Sequence, residues 1–304
     1  MNFPVSVVIC THNPREEFLA ATLDALKAQT LAHDQWELVL VDNASRTEVK
    51  SRWDLSWQRN GRHLREEKLG LTSARLCGIA HSAGEVIVFV DDDNLLHPDY
   101  LEQSLKIAKS WPMLGVWGGR CLPRFEEEPP AWTKPYWSYL ALHDFDHAQW
   151  GNFEATECFP CGAGICVRRN VAESYHRKTT HDVFSQHLGR KGNSLISHED
   201  HLIVYSAIEC GLGYGRFPQL ALTHIIPPAR LTEEYLLRLF EANGASSLLM
   251  ARARGRYRPR TRLGLLRQQV EVLMKTGRAR RIQQAWLRGE RTGRQMMAQM
   301  DQGR

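Results

Sequence analysis

Apolar residues follow two different periods along the first hundred positions. The unbroken runs VSVVIC (5–10), WELVLV (36–41) and VIVFV (86–90) each stop at a polar cluster. Those clusters are Thr11-His12-Asn13-Pro14, Asp42-Asn43-Ala44-Ser45 and Asp91-Asp92-Asp93. Short runs that are apolar at nearly every position predict strands buried on both faces. Between them, Leu19, Leu23 and Leu26 recur at helical spacing, and LGLTSARLCGIAHSAG (69–84) predicts a helix that stops at Gly84. After Pro98, Leu101, Leu105 and Ala108 give a further helix its apolar face. This alternation predicts an α/β fold with a mainly parallel central sheet flanked by helices. In such sheets ligands bind beyond the carboxyl ends of the strands, so the three polar clusters are expected to line one crevice.

The pattern is less regular from about residue 115. GVWGGRCLPRF predicts a strand with a glycine break, and CFPCGAGICVRRN a strand after a glycine turn. SHEDHLIVYSAIECG predicts a helix that opens on acids and closes at Gly211. LALTHIIPPARLTEEYLLRLF predicts a strand, a proline stop and an amphipathic helix. Trp132, Tyr136, Trp137, Tyr139 and Trp150 crowd a Pro-rich segment, either as a sugar-stacking platform or as loop anchors. Beyond about 250 the chain is Arg-rich, with Leu263, Leu266, Val270 and Leu273 at helical spacing. The expected organisation is a domain over 1–230, with halves at about 1–115 and 116–230, followed by a helical extension over 231–304.

Composition refines this picture at three points. No run of about 18 apolar residues is present, so no membrane-spanning helix is expected. Seven scattered cysteines and no export signal fit a reducing cytoplasm. Residues 251–304 hold 15 Lys and Arg against 3 Asp and Glu, leaving the first 250 at −7 within an overall charge of +5. A basic tail on an acidic body seeks phosphate, or packs on the body or on a second subunit. An anionic membrane surface is the expected partner, with a peripheral position on its cytoplasmic side. Nucleic acid is disfavoured, because the tail shows no zinc-finger or RNP-like spacing.

Three adjacent aspartates repel one another unless something compensates. A D-x-D at the end of a strand suits a hard cation such as Mg2+ or Mn2+, which takes one or two carboxylates and shares the rest of its shell with phosphates. The residues alone leave a second reading open, a solvated acidic turn with an aspartate capping the next helix.

VSVVICTHN, ELVLVDNAS, KLGLTSARLCGI, VIVFVDDDNLLHPDYL, CGAGICVRRN and SHEDHLIVYSAIECG resemble, in this order, the motifs of family 2 glycosyltransferases of the GT-A fold. The resemblance covers residues 4 to 230. It implies an inverting enzyme that moves a sugar from a nucleoside diphosphate, UDP for preference, to an acceptor hydroxyl of a saccharide or lipid-linked acceptor. It also implies a role in building a cell-surface polysaccharide or glycoconjugate.

The same resemblance assigns residues. Thr11, His12 and Asn13 would contact the nucleotide, Asp42 its base, and Arg75 would hold the nucleotide region. Asp93 would be the direct metal ligand. Asp91 would face the ribose or the metal, and Asp92 is placed with the donor-binding residues. Gly162, Ala163 and Gly164 would line the sugar. In the pair Glu199-Asp200, Asp200 is the expected base, which an inverting transfer requires on the face opposite the leaving group. His224 is a further metal ligand or a core histidine, and Arg230 a contact for the diphosphate. Two alternatives stand beside this reading: a non-catalytic nucleotide-sugar-binding subunit, and a D-x-D phosphotransferase, whose motif belongs on the first strand. Cys158-Phe-Pro-Cys161 lacks the second ligand pair of a structural zinc site and is expected to be packing thiols.

Overall fold

A computed structural model describes residues 3–154 and 158–302, apart from the side chain of Leu265. Its contacts divide the chain into two compact units, Met1–Lys178 with Asp200–Pro227, and Thr179–Glu199 with Pro228–Arg304.

The first unit is built on one sheet. Its early elements are β1 (Val5–Thr11), α1 (Glu16–Lys27), β2 (Trp36–Asn43), β3 (Gly61–Glu66), α2 (Leu71–Ala80) and β4 (Val86–Asp91). They are followed by β5 (Asn94–Leu96), α3 (Tyr100–Ser110), β6 (Leu114–Phe125), β7 (Gln149–Gly151) and β8 (Cys166–Arg168). Then come α4 (Arg169–His181), the short helix α5 (Val183–Gln186) of the second unit, α6 (Glu199–Glu209) and β9 (Gly213–Ile226). The strand order is β3-β2-β1-β4-β8-β6-β9-β5, and β7 also pairs with β9.

The sheet is mixed. The strands of the first apolar runs, with β3, form one parallel part, and β6 with β9 forms another. Antiparallel pairs enter with β8, which lies between β4 and β6, and with β5 and β7 on β9. Every residue of β2 is buried, as are Val86 to Val90 of β4, which is why these runs lack polar alternation. Two details differ from the sequence pattern. Helix α2 ends at Ala80, and Gly84 lies in the loop before β4, its N–H donating to Ser6 Oγ at 2.7 Å. Strand β6 runs through Gly118-Gly119 unbroken and shifts register against β9 at that point.

The second unit is helical. Its long elements are α7 (Glu233–Ala253), α8 (Arg262–Met274) and α9 (Gly277–Gln302). Arg281 pairs with Glu233, Arg288 with Glu241 and Arg252 with Asp301, at sequence separations of 48, 47 and 49. A constant offset means that α7 and α9 run parallel in a fixed register.

Candidate active site

Strand register brings the polar clusters together. Thr11 pairs with Asp42 across β1 and β2, and Cys10 with Asp91 across β1 and β4. The three clusters therefore share the carboxyl edge of the parallel strands.

The loops on that edge are tied to one another. The Nδ1–H of His12 donates to the Asn43 carbonyl at 2.7 Å, and Asn13 Nδ2 donates to His12 Nε2 at 2.8 Å, which fixes the tautomer. The Asn13 N–H donates to Ser45 Oγ at 2.8 Å, and the Arg46 N–H donates to Asn13 Oδ1 at 2.9 Å. Asp42 is buried and accepts from the N–H groups of Ser45 and Val49 and from Arg65 Nη1, at 3.0, 3.1 and 2.8 Å. Burial pushes its carboxyl pKa up, but the bonds from Ser45 and Val49 and the charge of Arg65 outweigh that and hold it below the usual range.

Each of the three consecutive aspartates has a different partner. The strand stops at Asp91 and the next two residues turn, so strand alternation does not align Asp91 with Asp93. Asp91 Oδ1 lies 3.6 Å from Nη2 of Arg75, a guanidinium that is 2% exposed and stacks over Phe89 at 5.2 Å. Asp92 accepts from the hydroxyl of Thr11. Asp93 is buried, accepts from Asn94 Nδ2 at 3.0 Å, and lies 3.4 Å from Nε2 of His224. This last approach is set by the antiparallel register of β5 on β9, which pairs Asn94 with His224.

A second cluster forms around the glycine turn. Asp200, the second residue of α6, accepts from the Gly162 N–H at 3.0 Å and from the His201 N–H at 2.9 Å. The carbonyl of Gly162 accepts from Arg75 Nη2 at 3.4 Å. Arg75 thus links Asp91 to the turn that holds Asp200. Gly164 has φ +70°, and a β-carbon there would stand 2.6 Å from both Leu222 Cδ2 and Tyr100 OH, so only glycine fits. The buried Tyr100 hydroxyl donates to its carbonyl at 2.7 Å. Ala163 beside it is buried.

Several neighbours of these clusters carry no motif and escape sequence reading. Arg65 pairs with Asp42, and Tyr100 holds Gly164. Cys121 meets Cys161, and that contact, burial, and the charges of Asp93 and Asp91 push its thiol pKa well up. Burial and Arg216 push the His143 imidazole pKa down, against the opposing charge of Asp200.

Glu199 is buried, and one boundary between the two units falls between it and Asp200. Arg230 lies in a 3-10 turn of the second unit, Pro228–Leu231. Among the aromatics, Trp137 packs on Phe125 at 4.9 Å, while Tyr139 and Trp150 are exposed. All seven cysteines, Cys158 and Cys161 included, are free thiols. Among the described residues no group of three or more His, Cys, Asp or Glu converges as a ready cation cage, and no helix is long and apolar enough to cross a membrane.

The mixed sheet flanked by helices, with its acidic strand edge, has the GT-A architecture. The chain matches the family model for Glycosyl transferase family 2 over residues 6–175, more than half its length, and belongs to that family. It is similar to a glucosyl-dolichyl phosphate glucuronosyltransferase of Haloferax volcanii, 28% identical over 172 residues, covering 55% of this chain and 53% of the relative. It is also similar to glycosyltransferase AglE of the same organism, 29% identical over 104 residues, 33% of this chain and 34% of that one. The chain thus spans about half or less of the length of these relatives. Among solved structures, S. aureus TarS in complex with UDP-GlcNAc shares the fold, with a TM-score of 0.54 and 14% identity over 81% of this chain and 67% of that one.

Proposed function

We propose that this glycosyltransferase moves a sugar from a nucleoside diphosphate, UDP for preference, to an acceptor hydroxyl with inversion at the anomeric carbon. The observation that carries this reading is the link through Arg75. One buried guanidinium touches Asp91 at the sheet edge and the Gly162 turn that positions Asp200. A diphosphate at the aspartate edge and a proton acceptor across from it are the two parts that inverting transfer needs. The solved TarS complex with UDP-GlcNAc, on the same fold, supports the donor class.

In this reading Asp200 takes the proton of the acceptor hydroxyl as its oxygen attacks and the bond to the diphosphate breaks. Its bonds from Gly162 and His201 hold the carboxylate in place for that transfer. Successive helix residues point about 100° apart, so Glu199 cannot share the aim of Asp200. The buried Glu199 serves the helix start. Thr11, His12, Asn13 and Asp42 form the nucleotide-facing loops, Asp42 aligning the base, and Asp91 and Asp92 face the ribose and diphosphate. Gly162 to Gly164 leave room for the sugar, and Arg230 is assigned to the diphosphate by sequence position alone.

Asp93 and His224 fit a divalent ion. Two donors each about 2.1 Å from an octahedral ion stand about 3 Å apart, close to the 3.4 Å between their nearest atoms. A carboxylate oxygen with an imidazole nitrogen suits Mn2+ or Mg2+, Mn2+ the better. Such an ion would supply positive charge against the departing diphosphate.

Similarity to a glucosyl-dolichyl phosphate glucuronosyltransferase supports a lipid-linked acceptor, and we assign the enzyme to glycoconjugate synthesis on the cytoplasmic side of a membrane. The test is Asp200→Asn. Sugar transfer, assayed with a panel of UDP-sugars, is expected to fall about 10²- to 10⁴-fold, while UDP affinity by calorimetry stays unchanged. A variant that keeps full activity would remove Asp200 as the base.

A further inference from the structure

Helix α8 carries an apolar face that nothing in the second unit covers. Leu263, Leu266, Val270, Leu273 and Met274 are 76, 57, 47, 66 and 79% exposed, five of the nine exposed large hydrophobic residues described. At about 100° per residue these five fall within one arc of roughly 100°. The side facing α9 is settled by contact: Gln268 Nε2 donates to Glu290 Oε2 at 3.4 Å, and Gly264 and Gln268 are half-buried. The stripe points the opposite way. Arg262 and Arg267, both exposed, stand at its two borders, Arg267 in a solvent-exposed pair with Glu271 at 3.3 Å that water screens.

We propose that α8 lies in the interface of an anionic bilayer. The leucine stripe enters the acyl boundary, and Arg262 and Arg267 reach lipid phosphates beside it. Charge selects this occupant. The second unit holds 19 Lys and Arg against 8 Asp and Glu, a net charge of +11. A second copy on the same stripe would bring two such units together, whereas an anionic leaflet attracts each basic residue near its surface. No described helix is long and apolar enough to cross the bilayer, so the contact is one of lying on it. The inference rests on this helix and its charge and not on the catalytic reading.

The test is cosedimentation of the full chain with vesicles of phosphatidylcholine and phosphatidylglycerol at 70:30, against pure phosphatidylcholine. Binding is expected to the anionic vesicles, weakened several-fold by 0.5 M NaCl and by Arg262→Gln with Arg267→Gln. Leu266→Ser with Leu273→Ser should lower it at least tenfold. These side chains are exposed, and far-UV circular dichroism confirms that the variants stay folded. No binding to anionic vesicles, or binding that survives the leucine changes, overturns the proposal. So does a dimer, seen by light scattering, that the leucine changes dissociate.

Discussion

Asp93 and His224, paired in the sequence only by the family resemblance, show how a contact can escape every local pattern. Each residue type marks it as a candidate ligand, but they stand 131 positions apart. What joins them is the three-residue pairing of β5 on β9, which no local pattern encodes. If the pair holds the ion, Asp93→Asn and His224→Ala should each weaken Mn2+ affinity about tenfold or more, measured by calorimetry. Unchanged affinity in both would leave the aspartate edge without its cation. Asp42 makes a prediction about pH. Its folded pKa is lowered from 3.8, so it contributes stability that is fully present above about pH 4 and is lost as pH falls through the depressed value. The melting temperature of Asp42→Asn should therefore lie below wild type at pH 7 and converge on it at lower pH. The acid itself was legible at the end of its strand, but its partner Arg65 was not, because β3 has no apolar run to announce it.

The parallel strands of the apolar runs were readable because burial on both faces leaves an unbroken apolar string. The later half was not, and the reason is length. Strands of three residues, such as β5, β7 and β8, are too short to show a period, and their place in the sheet is decided by partners far along the chain. The glycines report a different constraint. Gly164→Ala would put a methyl into Leu222 and Tyr100 at a positive φ, a cost of about 2 kcal/mol or more, with a melting temperature lower by about 5 °C. Helices α7 and α9 meet at Gly289, where a β-carbon would stand 1.7 Å from the Glu241 carbonyl oxygen. Gly289→Ala should cost about 3 kcal/mol in a thermal or urea melt, since neither helix can shift without breaking the ion pairs that set their register. A neutral result at either glycine would mean that the backbone yields more easily than its packing suggests.

At the scale of the molecule, the chain joins an α/β unit that carries the aspartate edge to a basic helical unit. The charge asymmetry between body and tail was plain in the sequence. The units part at Pro227–Pro228, beside the proline stop, and also at Lys178–Thr179 and Glu199–Asp200, where the sequence shows only continuous helix or the start of one. What the family, the fold and the clustered residues jointly support is the capture of a nucleoside diphosphate at the aspartate edge with the help of a cation. Calorimetric titration of the full chain with nucleoside diphosphates, with and without Mn2+, tests this most directly. The account predicts binding of one of them, UDP for preference, tightened at least tenfold by Mn2+. No binding of any, or an affinity indifferent to the metal, would contradict it.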